Sequence, residues 1–134
     1  MAGPHLRVTS VTVAAAHPKA LGAFYSRLLG WPVAAEDPPA PDAPPDGGWV
    51  QLRPPEGEIG PTLNIEYDRQ YQRPVWPSRK GEQTASQHLD IHVEDLDVAV
   101  AWAVEQGAGL DEFQPQDAVR VMRDPDGHPF CLFT

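Results

Sequence analysis

The chain has 134 residues, the length of one ordinary domain, with 19 acidic against 10 basic side chains and a net charge of −9. Phosphate backbones and anionic bilayers attract Lys and Arg, so this balance argues against nucleic-acid and membrane partners. A cationic or neutral small ligand is easier to accommodate, although a negative surplus also serves solubility alone. No apolar run approaches the ~20 residues of a bilayer span. No basic-then-apolar leader opens the sequence, and the single Cys131 excludes an intrachain disulfide or a multi-cysteine zinc site; a cytoplasmic protein is expected.

In chain order, Arg7 to Ala15 alternates polar with apolar and predicts a strand, with Val11 and Val13 on one face. Pro18 suits the first turn of a helix. Leu21, Phe24, Tyr25 and Leu28 then recur at i, i+3, i+4, i+7, an amphipathic stripe that Gly30 ends. A short strand is expected over Trp31–Glu36. Nine of the 16 prolines fall from Pro32 to Pro61, and EDPPAPDAPPDGG (Glu36–Gly48) reads as a long exposed hairpin loop. Strands follow over Gly48–Arg53 and Thr62–Tyr67, with the turn PPEG between them.

YQRPVWPSRKGEQ (Tyr71–Gln83) reads as a linker, after which the order recurs. His88–Val93 is a strand. Asp95 caps a helix from Leu96 to about Gln106, stopped by Gly107. Short strands are expected over Leu110–Phe113 and Ala118–Arg123, a tight turn at DPDG (Asp124–Gly127), and a last strand over Pro129–Phe133. The two halves align at an offset of 78 residues, with Ser10 on His88, Val13 on Ile91 and Phe24 on Trp102; the repeat is one of pattern more than of identity.

Two such halves imply one curved sheet with both helices outside it. The larger aliphatics then face the helices, and the alternate residues line the concave side: Ser10, Thr12 and Ala14; Thr62, Asn64 and Glu66; His88, Asp90 and His92; Pro129, Cys131 and Phe133. Polar side chains on an inner face are costly unless they meet water, each other or a ligand. Glu66, His88, Asp90 and His92 together therefore point to a wet cavity. His88 beside Asp90 fits a general base held by a carboxylate, and equally a polar pair that orders the sheet. Trp76, between prolines in the linker, is placed at the rim of the cup or in linker packing. His17 reads as a capping or surface residue and His128 as part of a turn. Cys131 is more in character as a small buried hydrophobe than as a nucleophile.

The strings ALGAFYSRLLGW (Ala20–Trp31), RPVWPS (Arg73–Ser78), QHLDIHVEDLDVAVA (Gln87–Ala101) and RDPDGHPFCL (Arg123–Leu132) resemble those of the glyoxalase, bleomycin-resistance and dioxygenase (vicinal oxygen chelate) superfamily, and of its short actinobacterial glyoxalase-like domains in particular. The resemblance implies an α+β fold of paired βαβββ modules closing a curved mixed-sheet cup, here one domain over residues 1–134. Module 1 spans about 5–68, the linker about 69–86 and module 2 about 87–134. It also implies a homodimer. The positions matching the superfamily's metal ligands are Ser10, Asn64, His88 and Cys131, of which only His88 is a standard ligand there. One His and one Cys leave a tetrahedral site half empty, so no metal and no cofactor are expected.

Two classes of function follow. The first is a binding protein for a small organic molecule, cationic or neutral, in the manner of antibiotic binding and resistance or natural-product metabolism. Its ligand contacts would be Ser10, Asn64, Glu66, Trp76, His88, Asp90, His92 and Cys131. The second is a lyase, isomerase or dioxygenase that uses a metal at His88 or acid–base chemistry by His88, Asp90 and Glu66.

Overall fold

The computed structural model describes residues 3–134. The first half runs β1 (Ser10–Ala15), α1 (Pro18–Leu29), β2 (Val33–Asp37), β3 (Trp49–Leu52) and β4 (Thr62–Tyr67). The second runs β5 (Leu89–His92), α2 (Leu96–Gln106), β6 (Gly109–Leu110), β7 (Val119–Arg123) and β8 (Pro129–Phe133). The strand orders are β1-β4-β3-β2 and β5-β8-β7-β6, so the halves repeat element by element. In each, the first strand lies parallel to the last and the remaining pairs are antiparallel. The α+β fold is the one expected. Its curved sheet is divided into two four-stranded halves, because β1 and β5 share no ladder. Among the described residues, no helix is long and apolar enough to cross a membrane.

Local chemistry sets the ends of the elements. Pro18 occupies the first turn of α1, where its missing N–H costs nothing, and Gly30 closes the helix at φ 68°. The Asp95 carboxylate accepts the Val98 N–H at 3.1 Å and caps α2. The strand expected over Leu110–Phe113 shortens to Gly109–Leu110. Asp111 still donates its N–H to the Val121 carbonyl at 3.0 Å, but the Gln114 side chain then accepts the Val121 N–H at 2.9 Å and donates to the Asp111 carbonyl at 2.8 Å, which ends the ladder. The Pro-rich segment forms the loop between the paired strands β2 and β3. It is tied to the body by an Arg69–Asp42 ion pair of 2.6 Å and by Lys19 Nζ, which donates to the Asp37 carbonyl at 2.9 Å.

The apolar stripes meet in a single core that joins both halves. Leu63 and Ile65 of β4 with Val50 and Leu52 of β3 form one wall, and Met122, Phe130 and Leu132 the other. Phe24 and Tyr25 of α1 reach across to Phe130, with ring centroids 6.2 and 6.1 Å away. The helices are also linked directly, Trp102 Nε1 donating to the Leu28 carbonyl and Arg27 to that of Gln106. α1 lies so close to β3 that a Cβ on Gly22 would stand 2.8 Å from a Val50 methyl.

Candidate functional site

β1 and β5 are edge strands, each with a hydrogen-bonded neighbour on one side only among the described residues. Along a parallel ladder, alternate residues turn both their N–H and C=O toward the partner, and those between turn them away. Thr9 O accepts from Thr62 N and Ala15 O from Asp68 N, so Val11 and Val13 address β4 while Ser10, Thr12 and Ala14 face outward. Val93 N donates to Phe133 O, so Leu89 and Ile91 address β8 while Asp90 and His92 face outward. The seam between the modules is therefore edged with backbone polar groups.

A cavity of about 630 Å³ opens at this seam. Its walls are Val11–Ala14 of β1, the linker residues Asp68, Gln70–Gln72, Pro74 and Gln83–Gln87, His88 and Leu89 at the start of β5, and Tyr25, His128 and Pro129. Its size suits a small organic ligand. The polar side chains are mainly neutral amides and hydroxyls: Gln70, Gln72, Gln83, Gln87, Thr84 and Ser86. Asp68 is the one lining carboxylate, and it accepts the Gln70 N–H at 2.8 Å. The acidic surplus of the chain thus lies elsewhere.

Below the cavity runs a polar network that positions its floor. The buried Asp124 carboxylate accepts the Tyr25 hydroxyl at 2.7 Å, the backbone N–H of Asp126 at 3.0 Å and that of His128 at 2.9 Å. His128 Nδ1 lies 2.8 Å from the same carboxylate, and its Nε2 lies 2.8 Å from the outward-facing Ala14 carbonyl. Burial disfavours a charged His128, but the hydrogen bond and charge of Asp124, with the Ala14 carbonyl, outweigh it and raise its pKa above the ordinary value. Burial, then the Asp124 charge, pushes the Tyr25 hydroxyl well up, so it stays a neutral donor. Burial does the same to Tyr71, whose hydroxyl donates to the Asp126 carbonyl at 2.7 Å. The Asp126 carboxylate accepts both the backbone N–H and Nδ1 of His17. His128 and His17, read from sequence as turn and surface residues, are the bolts between the modules. No local signal announces this, since their partners lie 114 and 109 residues away.

Of the residues expected to bind a ligand, only His88 lines the cavity. His88 Nε2 lies 3.1 Å from Asp90 Oδ1, and these two with Cys131 hold their donor atoms within 4.8 Å of one another. Trp76 rests its ring edge-on against His88 with centroids 5.5 Å apart, and its buried Nε1 has no partner among the described residues. His92 packs edge-on against Phe133. Ser10, Asn64 and Glu66 belong to the other sheet. Ser10 Oγ accepts from Thr62 at 2.6 Å, Asn64 Oδ1 accepts from Gln51 at 2.9 Å, and Glu66 is exposed.

This arrangement does not fit the superfamily's four-ligand metal site. Two of the four matching positions, Ser10 and Asn64, are neutral and already engaged in hydrogen bonds within their own sheet. Burial, followed by the Asp90 charge, raises the Cys131 thiol above its ordinary value.

Residues 10–133 match the family model described as glyoxalase-like domain, and the chain belongs to that family. Solved structures share the architecture. A glyoxalase family protein from Enterococcus faecalis superposes with a TM-score of 0.66 at 25% identity, covering 96% of this chain and 97% of that one. The antibiotic binding protein TnmS3 from a Streptomyces species gives 0.60 at 20% identity, covering 99% and 97%. A mutant fosfomycin resistance protein, FosX, from Listeria monocytogenes, complexed with Mn(II) and a dihydroxypropylphosphonic acid, gives 0.68 at 12% identity, covering 95% and 90%. No curated protein matches the chain.

Proposed function

We propose that this protein binds a small, uncharged organic molecule in the seam cavity, without a metal, and serves antibiotic binding or natural-product handling. The observation that carries the reading is the cavity itself: about 630 Å³, walled by neutral hydrogen-bonding side chains of the linker. Its lining favours a neutral ligand over the cationic one that net charge allows, because Asp68 is its one carboxylate and that group is already a backbone acceptor. The fold shared with TnmS3, an antibiotic binding protein, supports the same reading.

The test is a thermal-shift screen of metal-stripped protein against neutral and cationic natural-product-like compounds. Binding to the native state raises Tm by mass action. Neutral compounds are expected to stabilise the metal-free protein, and His88→Ala to reduce that stabilisation. Stabilisation by cationic compounds alone would overturn the reading.

A second reading rests on the His88–Asp90–Cys131 trio. One nitrogen, one oxygen and one sulfur donor with a fourth position open is a donor set that zinc accepts, and it would belong to an enzyme. Elemental analysis separates the two: one tightly held divalent ion per chain, lost in Cys131→Ser, favours the second.

A further inference from the structure

The cavity has a wall made of backbone as well as of side chains. Val11–Ala14 lines it, a length of about 13 Å at roughly 3.3 Å per extended residue. Within that stretch the N–H and C=O of Thr12 and the N–H of Ala14 turn away from β4. The Ala14 carbonyl is taken by His128. Among the described residues no backbone group pairs with those of Thr12. Such groups are obligatory hydrogen-bonders, so whatever displaces water here must replace the bonds that water made.

The side chains that share the cavity match the same demand. Gln72, Gln83 and Gln87 each present a carbonyl acceptor and an NH₂ donor, and Ser86 and Thr84 each do both through one hydroxyl. One ligand chemistry satisfies an open strand edge and a wall of primary amides at once: an uncharged chain of alternating N–H and C=O groups. An extended peptide backbone added to a free strand edge gains main-chain bonds in this way.

We infer that the cavity takes an uncharged, peptide-like chain of about three to four residues, laid along the edge of β1 so that Thr12 exchanges both its backbone hydrogen bonds with the N–H and C=O of one residue of the ligand. The inference rests on the proposed seam site and names the chemical class of its ligand. His128 fixes the end of the binding edge, because it already occupies the Ala14 carbonyl. The two amide-bearing walls exclude a chain whose amides are blocked.

The experiment uses the full chain and three probes: acetyl-tetraalanine methylamide, its N-methylated counterpart, and the ester analogue that keeps the shape and carbonyls but lacks the N–H groups. Affinity is measured by calorimetry, and the site by ¹H–¹⁵N spectra of the backbone. The peptide is expected to shift the amide signals of Thr12 and Ala14 and to bind about tenfold more tightly than either blocked analogue. Equal affinity for all three, shifts confined to other strands, or no binding of the peptide at millimolar concentration overturns the inference. If a non-peptide compound from the thermal-shift screen moves the signals of Ser86–Leu89 while the peptide moves none, the seam site stands and its peptide-like ligand falls. If neither moves the signals of Thr12, Ala14 or Ser86–Leu89, both fall.

Discussion

His128 holds its Nδ1 2.8 Å from the carboxylate of Asp124 while its Nε2 meets the Ala14 carbonyl at the same distance. A carboxylate and a carbonyl both accept, and a neutral imidazole donates only once, so the pair of contacts requires the imidazolium. Asp124 stays a carboxylate because Tyr25 and two backbone N–H groups also donate to it. The pKa of His128 is thus raised on folding, and the proton it holds stabilises the native state.

The stabilisation is fully present below the unfolded histidine value of about 6.5 and is lost as pH rises through the higher folded value. Tm is expected to fall as pH is raised from about 6 into the alkaline range above that value. His17, raised by its Asp126 hydrogen bond against a smaller cost of burial, adds in the same direction, but its side chain is 55% exposed and its share is small. His128→Gln is expected to flatten the profile. A Tm that holds or rises over this range would refute the imidazolium.

Asp124→Ala removes the acceptor of one hydroxyl, two backbone N–H groups and the His128 ring at a buried position. Breaking a buried charged pair from one side costs about 3–5 kcal/mol. Tyr25→Phe removes one donor and is expected to cost about 1–3 kcal/mol. Urea unfolding of the two variants checks the order and the size.

Gly22→Ala is expected to destabilise although alanine favours helix by about 1 kcal/mol over glycine. The added Cβ meets Val50 at 2.8 Å, and overpacking of this kind costs about 1–3 kcal/mol. Gly22→Ala combined with Val50→Ala should recover part of the loss, which a double-mutant cycle measures.

His88→Ala should weaken a cavity ligand by about tenfold, the effect of one lost hydrogen bond or stacked ring. Glu66→Gln should leave affinity unchanged, since Glu66 is exposed on the first sheet and outside the lining. Competitive binding of any compound found in the screen checks both. Loss with Glu66→Gln would move the site onto the open face of β4.

The paired modules were legible in the sequence because their signals are local. Period-two alternation put Leu63 and Ile65 against the helices, where they are buried. Gly30 and Gly107 ended the helices at the positions their left-handed backbone demands. The site was less legible. Alternation tells which face a side chain takes but not whether two edge strands pair, so the open seam between β1 and β5 left no trace in the pattern. For the same reason Ser10, Asn64 and Glu66 looked like companions of His88 and lie instead on the other sheet. Net charge is a property of the whole surface and says little about a cavity lined by glutamines.

The most direct measurement is a crystal structure of the protein with the compound that stabilises it best. Ligand density is expected between Val11–Ala14 and Gln83–Leu89, with hydrogen bonds to the linker glutamines and to Thr12. A ligand bound over Asn64 and Glu66, or a divalent ion joining His88, Asp90 and Cys131 beside the ligand, would contradict that expectation.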